Sequence, residues 1–253
     1  MVKKLKNNLL LEKIPELFDK EKRGKVLDLG CGRGHFSDRI HQLGFDVLAA
    51  DVAERYFKYK DFGIKWVHCD LSKHLNFPDN TFDYVLFLEV IEHLENPFAV
   101  VREISRVLKP GGSLYISTPN ILNIGSRFRF LFEGCFDFFR EPVLDYSKVY
   151  EELYPGNLQN MHLIPWRYHE LEYMLDRCGL DVTKIESDRI YHHMKPLYYL
   201  LWPILKLQTS SKERRSLKKG GMDFRRIHKI LFSDPILFGR HLIVRATKKG
   251  PHE

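Results

Sequence analysis

Residues 26–36 read Val-Leu-Asp-Leu-Gly-Cys-Gly-Arg-Gly-His-Phe, and an acid follows at Asp51. Val26 to Leu29 is a short apolar run, the pattern of a strand buried in a parallel sheet. Gly30, Gly32 and Gly34 let the backbone turn tightly and come close to a ligand. The helix predicted after them turns its free N–H groups and the positive end of its dipole toward that ligand. A second apolar strand, Val47 to Ala50, ends at Asp51, 21 residues after Gly30. That is where a ribose-binding acid belongs in a nucleotide-binding βαβ unit. The dinucleotide fingerprint G-x-G-x-x-G would need its third glycine where His35 stands. The spacing here is instead G-x-G-x-G, preceded by Asp28.

Outward from this unit, strands and helices alternate, which predicts an α/β fold with a parallel sheet and helices on both faces. Strands are predicted at 25–29, 46–51, 64–69, 83–88, 113–117, 180–185 and 242–246. Helices are predicted at 35–43, 97–108 and 165–178, with an amphipathic entry helix over 5–20. Lys109-Pro110-Gly111-Gly112 reads as a helix stop followed by a turn. The 253 residues suffice for one such domain, and 44% hydrophobic with 29% charged residues is the balance of a soluble globular chain. No segment approaches the roughly 20 apolar residues of a spanning helix. The cysteines Cys31, Cys69, Cys135 and Cys178 form no C-x-x-C pair and no zinc spacing, which fits a reducing, cytoplasmic setting.

Four ordered motifs resemble those of class I S-adenosylmethionine-dependent methyltransferases, in the subgroup often called types 11 and 23. They are the glycine loop, Phe77 to Asp83 before the fourth strand, Glu89-Val90-Ile91-Glu92-His93-Leu94 after it, and Leu108 to Gly112. Ser117-Thr118-Pro119-Asn120 resembles the end of that subgroup's fifth strand. The resemblance implies a doubly wound, Rossmann-like sheet of seven strands, mostly parallel, with the last strand antiparallel. It implies S-adenosylmethionine as cofactor. Gly30, Gly32 and Gly34 would then face the methionine end, with Asp28 orienting the loop. Asp51, flanked by Val52, would accept the ribose hydroxyls. Asp70 would meet the adenine amino group, with Leu71 beside the ring.

If residues 89–94 begin a helical turn, Glu89, Glu92 and His93 stand at i, i+3 and i+4 and share one face. Two carboxylates and an imidazole so placed could bind a divalent cation. A similar segment is a metal site in small-RNA 2′-O-methyltransferases and in ubiquinone-pathway O-methyltransferases, and the RNA enzymes add a downstream histidine. His162, just before the Pro165 helix, is the candidate for that place, as a cation ligand or as a general base. Glu89 and His162 are the candidate catalytic residues. The alternative for Glu92, His93 and His162 is local packing and hydrogen bonding.

Two insertions interrupt the pattern. Residues 121–164 carry nine aromatic residues interleaved with Arg127, Arg129 and Arg140, which reads as an acceptor lid or as a small helical subdomain with an aromatic core. Within 190–238, the apolar run Pro196 to Leu205 precedes a basic stretch. From Lys206 to Lys229 there are nine Lys/Arg and two acids, enough to account for the whole net charge of +7. An apolar aromatic run beside clustered cations fits an anionic membrane surface. The same charge could track a phosphate backbone or line a solvated helix. The expected function is O-methylation of a sugar or lipid-linked glycan at the membrane surface. The alternatives are a metal-assisted RNA 2′-O-methyltransferase and a non-catalytic cofactor-binding partner.

Overall fold

In the computed structural model, residues 9–139, 162–196, 198–200, 203 and 224–250 are described. The start of the entry helix, residues 140–161 of the first insertion and most of the basic stretch lie outside them. The described chain folds as α1 (Leu10–Asp19), β1 (Lys25–Leu29), α2 (His35–Gln42), β2 (Asp46–Asp51), β3 (Lys65–His68), β4 (Phe82–Leu88), α3 (Pro97–Val107) and β5 (Leu108–Pro119). Then come α4 (Ile124–Glu133), α5 (Tyr168–Arg177), β6 (Leu180–Glu186), α6 (Phe224–Leu231), α7 (Asp234–Phe238) and β7 (His241–Lys248). The seven strands form one sheet in the order β3-β2-β1-β4-β5-β7-β6. The first five run parallel, and β7 pairs antiparallel with both β5 and β6.

Alternation along the central strands divides the core into two layers. Val26, Tyr84, Leu86 and Tyr115 face α1 and α2, whose Leu10, Ile14, Phe18 and Ile40 complete that layer. Leu27, Leu29, Val85, Phe87, Leu114 and Ile116 face the opposite side, with α3 and α5. The apolar face of α3 is Val100, Val101, Ile104 and Val107, all buried. Each such side chain contributes about 1.5–3 kcal/mol on burial. Asn96 caps this helix by accepting from the Ala99 N–H at 3.3 Å, and Pro97 occupies its first turn.

Two details differ from the sequence expectation. The Lys-Pro-Gly-Gly segment is not a separate turn. Leu108 pairs with Phe82, the register then shifts, and Ser113 pairs with Tyr84, so the segment is the irregular first part of a twelve-residue β5. Residues 165–167 are not helical, and α5 starts at Tyr168, with Arg167 extended and bonded to Glu170 at its entry.

The reversal of β7 decides what stands at the carboxyl edge. Pro119, at the end of β5, pairs with His241, at the start of β7. The Asn120 side-chain amide donates to the carbonyls of Pro235, Ile236 and Gly239, at 3.1, 2.9 and 2.9 Å. This side chain ties the turn after β5 to the connection that launches β7. Among the described residues no helix is long and apolar enough to cross a membrane.

The glycine loop is shaped by what packs on it. A Cβ on Gly34, whose φ is +78°, would lie 2.3 Å from the Phe57 ring. A Cβ on Gly32, whose φ is +51°, would meet nothing within 4 Å. Gly34→Ala therefore carries a clash as well as the ~1–2 kcal/mol cost of a left-handed alanine, whereas Gly32→Ala carries the backbone cost alone. Thermal unfolding should show the larger drop for Gly34→Ala. Equal drops would contradict this packing.

Candidate active site

Read across the sheet, the carboxyl edge presents Asp70 after β3, Asp51 at the end of β2, the glycine loop after β1, Glu89 after β4, Asn120 after β5 and His241 at the head of β7. This is the edge where open α/β sheets bind ligands.

Asp51 is committed to the loop backbone. Its Oδ2 accepts from the Gly32 N–H at 2.8 Å and its Oδ1 from the Ala53 N–H at 3.1 Å. Gly30 and Cys31 donate to the Ala50 carbonyl, at 2.8 and 3.1 Å. Val52 is exposed beside Asp51. Asp70 lies at the same edge with its carboxylate turned to its own loop. It accepts from the Ser72 hydroxyl and N–H at 2.7 and 3.0 Å and pairs with Lys73 at 3.2 Å. The Ser72 bonds foremost, and then Lys73, hold its pKa down at about 2. Leu71 is partly buried against the core.

Asp28 lies in the interior of β1, 2% exposed, and accepts from the Ser37 hydroxyl of α2 at 2.5 Å. Burial raises its pKa to about 6 against the opposing effect of Ser37, and the charge of Asp51 adds to the rise.

Residues 89–94 are not one helical turn. Glu89 adopts the left-handed region with φ of +55°, and the 3₁₀ turn covers only Ile91–His93. The shared face predicted for Glu89, Glu92 and His93 therefore does not form. Glu89 turns away: its Oε1 accepts from the Ser117 hydroxyl at 2.7 Å, and its Oε2 lies 3.5 Å from His241 Nε2. A non-glycine residue in this conformation costs about 1–3 kcal/mol and persists only where its surroundings impose it. Here its N–H donates to the Ser117 carbonyl at 3.1 Å.

Glu92, His93 and His162 do come together, with one ligand atom of each within 4.8 Å of the others. The Leu163 and Ile164 N–H groups donate to the Glu92 carbonyl, at 2.7 and 3.1 Å. They bring the His162 ring to 4.9 Å from that of His93, centroid to centroid. His162 Nδ1 is 2.7 Å from the Phe138 carbonyl oxygen, which can only accept, so the proton sits on Nδ1. The Glu92 side chain is fully buried, and neither carboxylate oxygen has a hydrogen-bond partner among the described residues. Burial first, and the charge of Glu89 second, push its pKa well above the ordinary carboxylate range.

Sequence reading missed Asp188 and His241. His241 Nδ1 bonds Asp188 Oδ2 at 2.7 Å, and its backbone N–H donates to Asp188 Oδ1 at 3.1 Å. The only available signal was positional, since the first residue of an antiparallel last strand must lie at the carboxyl edge of its neighbours.

The sheet order, the glycine loop and the acid ending β2 together define the class I S-adenosylmethionine-dependent methyltransferase fold. Residues 27–116 match the family model described as "Methyltransferase domain". The ubiquinone biosynthesis O-methyltransferase of Aliivibrio fischeri is 32% identical over 123 residues, covering 46% of this chain and 51% of that protein. Its counterpart in Xanthomonas oryzae is 36% identical over 107 residues, covering 38% and 43%. The chain thus spans about half the length of the curated relatives it matches, or less. A SAM-dependent methyltransferase from Archaeoglobus fulgidus superposes with a TM-score of 0.55 at 20% identity, covering 94% of both chains, a likeness of fold. Residues 27–116 are thus similar to the methyltransferase domain family, and the chain has the fold of the class I S-adenosylmethionine-dependent methyltransferases.

The raised Asp28 has a consequence for stability. Between pH 3.8 and about 6 the folded protein holds a proton on Asp28 that the unfolded chain has released, so stability falls as pH rises through that window. At about 1.4 kcal/mol per pH unit the loss is roughly 3 kcal/mol. Asp28→Asn cannot ionise, and in cofactor-free protein it should be the more stable form at pH 7 and converge with wild type near pH 4. Urea unfolding across that range checks this, and parallel profiles would contradict it.

Proposed function

We propose that the chain transfers the methyl group of S-adenosylmethionine to a hydroxyl oxygen of a lipid-linked acceptor, a glycan foremost, at a membrane surface. The observation that carries the reading is Glu89, a carboxylate held in a strained backbone conformation at the carboxyl edge and gripped by Ser117 and His241. The ubiquinone-pathway relatives are named as O-methyltransferases, which supports a hydroxyl acceptor. The exposed Phe130, Leu131 and Phe132 of α4, with Tyr199 and Leu200, support an apolar surface as neighbour.

When bound, S-adenosylmethionine supplies a methyl group already electrophilic on sulfonium. The open face of Gly32 leaves room for its methionine end, and Asp28, once ionised, provides a buried negative charge for its ammonium group. Each Asp51 oxygen keeps acceptor capacity beyond its backbone bond, which suits two ribose hydroxyls. Asp70 and Leu71, following β3 at the same edge, would flank the adenine. The acceptor oxygen bonds to the methyl carbon as the carbon–sulfur bond breaks, and its proton passes to the Glu89 carboxylate. The protein's main contribution is to hold the two reactants in line.

Glu92, His93 and His162 fit a divalent cation: one carboxylate and two imidazoles, with the carboxylate buried and lacking a partner among the described residues. A cation there would lower the pKa of an acceptor hydroxyl. This cluster favours a second reading, cation-assisted methylation of an RNA 2′-hydroxyl.

Calorimetry tests the cofactor half: Asp51→Ala should abolish S-adenosylmethionine binding, and unchanged affinity would overturn the assignment. The acceptor half is tested by S-adenosylhomocysteine release with a polyprenyl-linked glycan, a prenylated catechol and a short RNA. Turnover with a lipid-linked probe supports the proposal, turnover with RNA alone supports the second reading, and none with any overturns both. Turnover should fall with a chelator and with Glu92→Gln. Indifference to both removes the cation.

A further inference from the structure

We propose that His241, fixed by Asp188, is a positioning residue that aims the Glu89 carboxylate at the acceptor. This rests on the hydroxyl-transfer reading and adds to it two residues far from Glu89 in sequence.

The argument begins with Asp188. Its carboxylate is almost fully enclosed and receives three donors: the His241 ring at 2.7 Å, the His241 N–H at 3.1 Å and the Ser187 hydroxyl at 3.4 Å. The two bonds to one residue fix both the backbone and the ring of His241. They also keep a proton on Nδ1, where the carboxylate accepts, and direct Nε2 away, so that in the imidazolium form Nε2–H is left to face a second carboxylate. Nε2 is directed at Glu89 Oε2, 3.5 Å distant.

The ring has little freedom to leave. The His241 side chain is 10% exposed, the Phe138 ring covers it with centroids 5.6 Å apart, and the Arg240 guanidinium lies over Phe138 in turn, 5.5 Å from its centroid. The charged groups that act on His241 are Asp188 from the segment after β6, Glu89 from the end of β4 and Arg240 from its own strand. Burial alone would lower its pKa, but the Asp188 bond and the charges of Glu89 and Asp188 outweigh burial and raise it.

Glu89 is thereby held from two directions. Ser117, on β5, donates to Oε1 at 2.7 Å, and His241, on β7, stands against Oε2. A carboxylate on a left-handed residue at a strand end would otherwise sample several rotamers, with Ser117 its only tether. A catalytic group displaced by about 1 Å can lose on the order of 100-fold in rate. The Asp–His pair thus presents its second ring nitrogen to the carboxylate that follows β4.

The test compares wild type, His241→Gln, Asp188→Asn and the double variant in steady-state kinetics, using the lipid-linked glycan and prenylated catechol probes. The expected result is a fall in kcat of about 10- to 100-fold in each single variant. S-adenosylmethionine affinity by calorimetry should stay within about twofold, and the double variant should be no worse than the poorer single one. Asp188→Asn preserves the volume of the buried site and remains informative if His241→Gln unfolds. A kcat within about twofold of wild type in both variants overturns the proposal, as does a loss of rate matched by an equal loss of cofactor affinity or a collapse in melting temperature. A wild type that turns over neither these probes nor the short RNA overturns the hydroxyl-transfer reading and this proposal with it, and one active on RNA alone has its variants compared on RNA. That case is recognisable because the parent protein is itself inactive.

Discussion

The antiparallel pairing of β7 with β5 is the constraint from which the meeting of Glu89, His241 and Asp188 follows. In an all-parallel sheet every strand brings its C-terminus to the ligand edge, so only residues after a strand can serve there. Reversing one strand brings a residue that precedes a strand to that edge, and here it is His241, opposite Pro119. Asn120 fixes the approach by bonding three carbonyls of the chain leading into β7. Asp188, at the end of β6 on the far side of β7, then reaches His241 across a single strand spacing. The placement of Glu89 against His241 is thus a consequence of strand direction before it is one of side-chain chemistry.

The buried acids divide into two kinds. Asp188 meets a ring N–H, a backbone N–H and a hydroxyl; burial acts to raise its pKa, but its bonds and charge pairing with His241 win and keep it low. Asp28 and Glu92 have no cation bonded to them among the described residues, and in both burial wins. A buried polar group without a partner costs about 1–3 kcal/mol, and an uncompensated charge costs more. Asp188 belongs to the fold's own bonding. Asp28, beside the glycine loop, and Glu92, beside two imidazoles, are not compensated in this way.

What could be read from the sequence was what depends on neighbours along the chain. The β1–loop–α2–β2 unit is one such case: Lys25–Leu29, His35–Gln42 and Asp46–Asp51 lie within a residue of their predicted bounds because glycine spacing and apolar runs are local signals. The i, i+3, i+4 argument at 89–93 was local too. It failed because the Ser117 carbonyl and hydroxyl draw Glu89 into the left-handed region before any turn can begin. The Lys-Pro-Gly-Gly segment carries turn residues, yet pairing of Leu108 with Phe82 absorbs it into a strand. His241 could not be found by motif, since its partners Asp188 and Glu89 lie 53 and 152 residues away and meet it only through the sheet.

The two acids of the nucleotide half differ in a way that bears on how the loop is kept ready. Asp51 spends a hydrogen bond on Gly32 and another on Ala53, so the turn after β1 and the start of the segment after β2 are locked to one carboxylate. The loop thus reaches its working shape through the protein's own bonds, and a ligand need not supply the ordering free energy of that turn. Asp70 organises only its own short turn, half-buried just after the edge strand. Asp51 is therefore a keystone of the loop as well as a candidate ribose contact. Its loss should disturb Gly32 directly, whereas loss of Asp70 leaves the glycine loop's bonds intact.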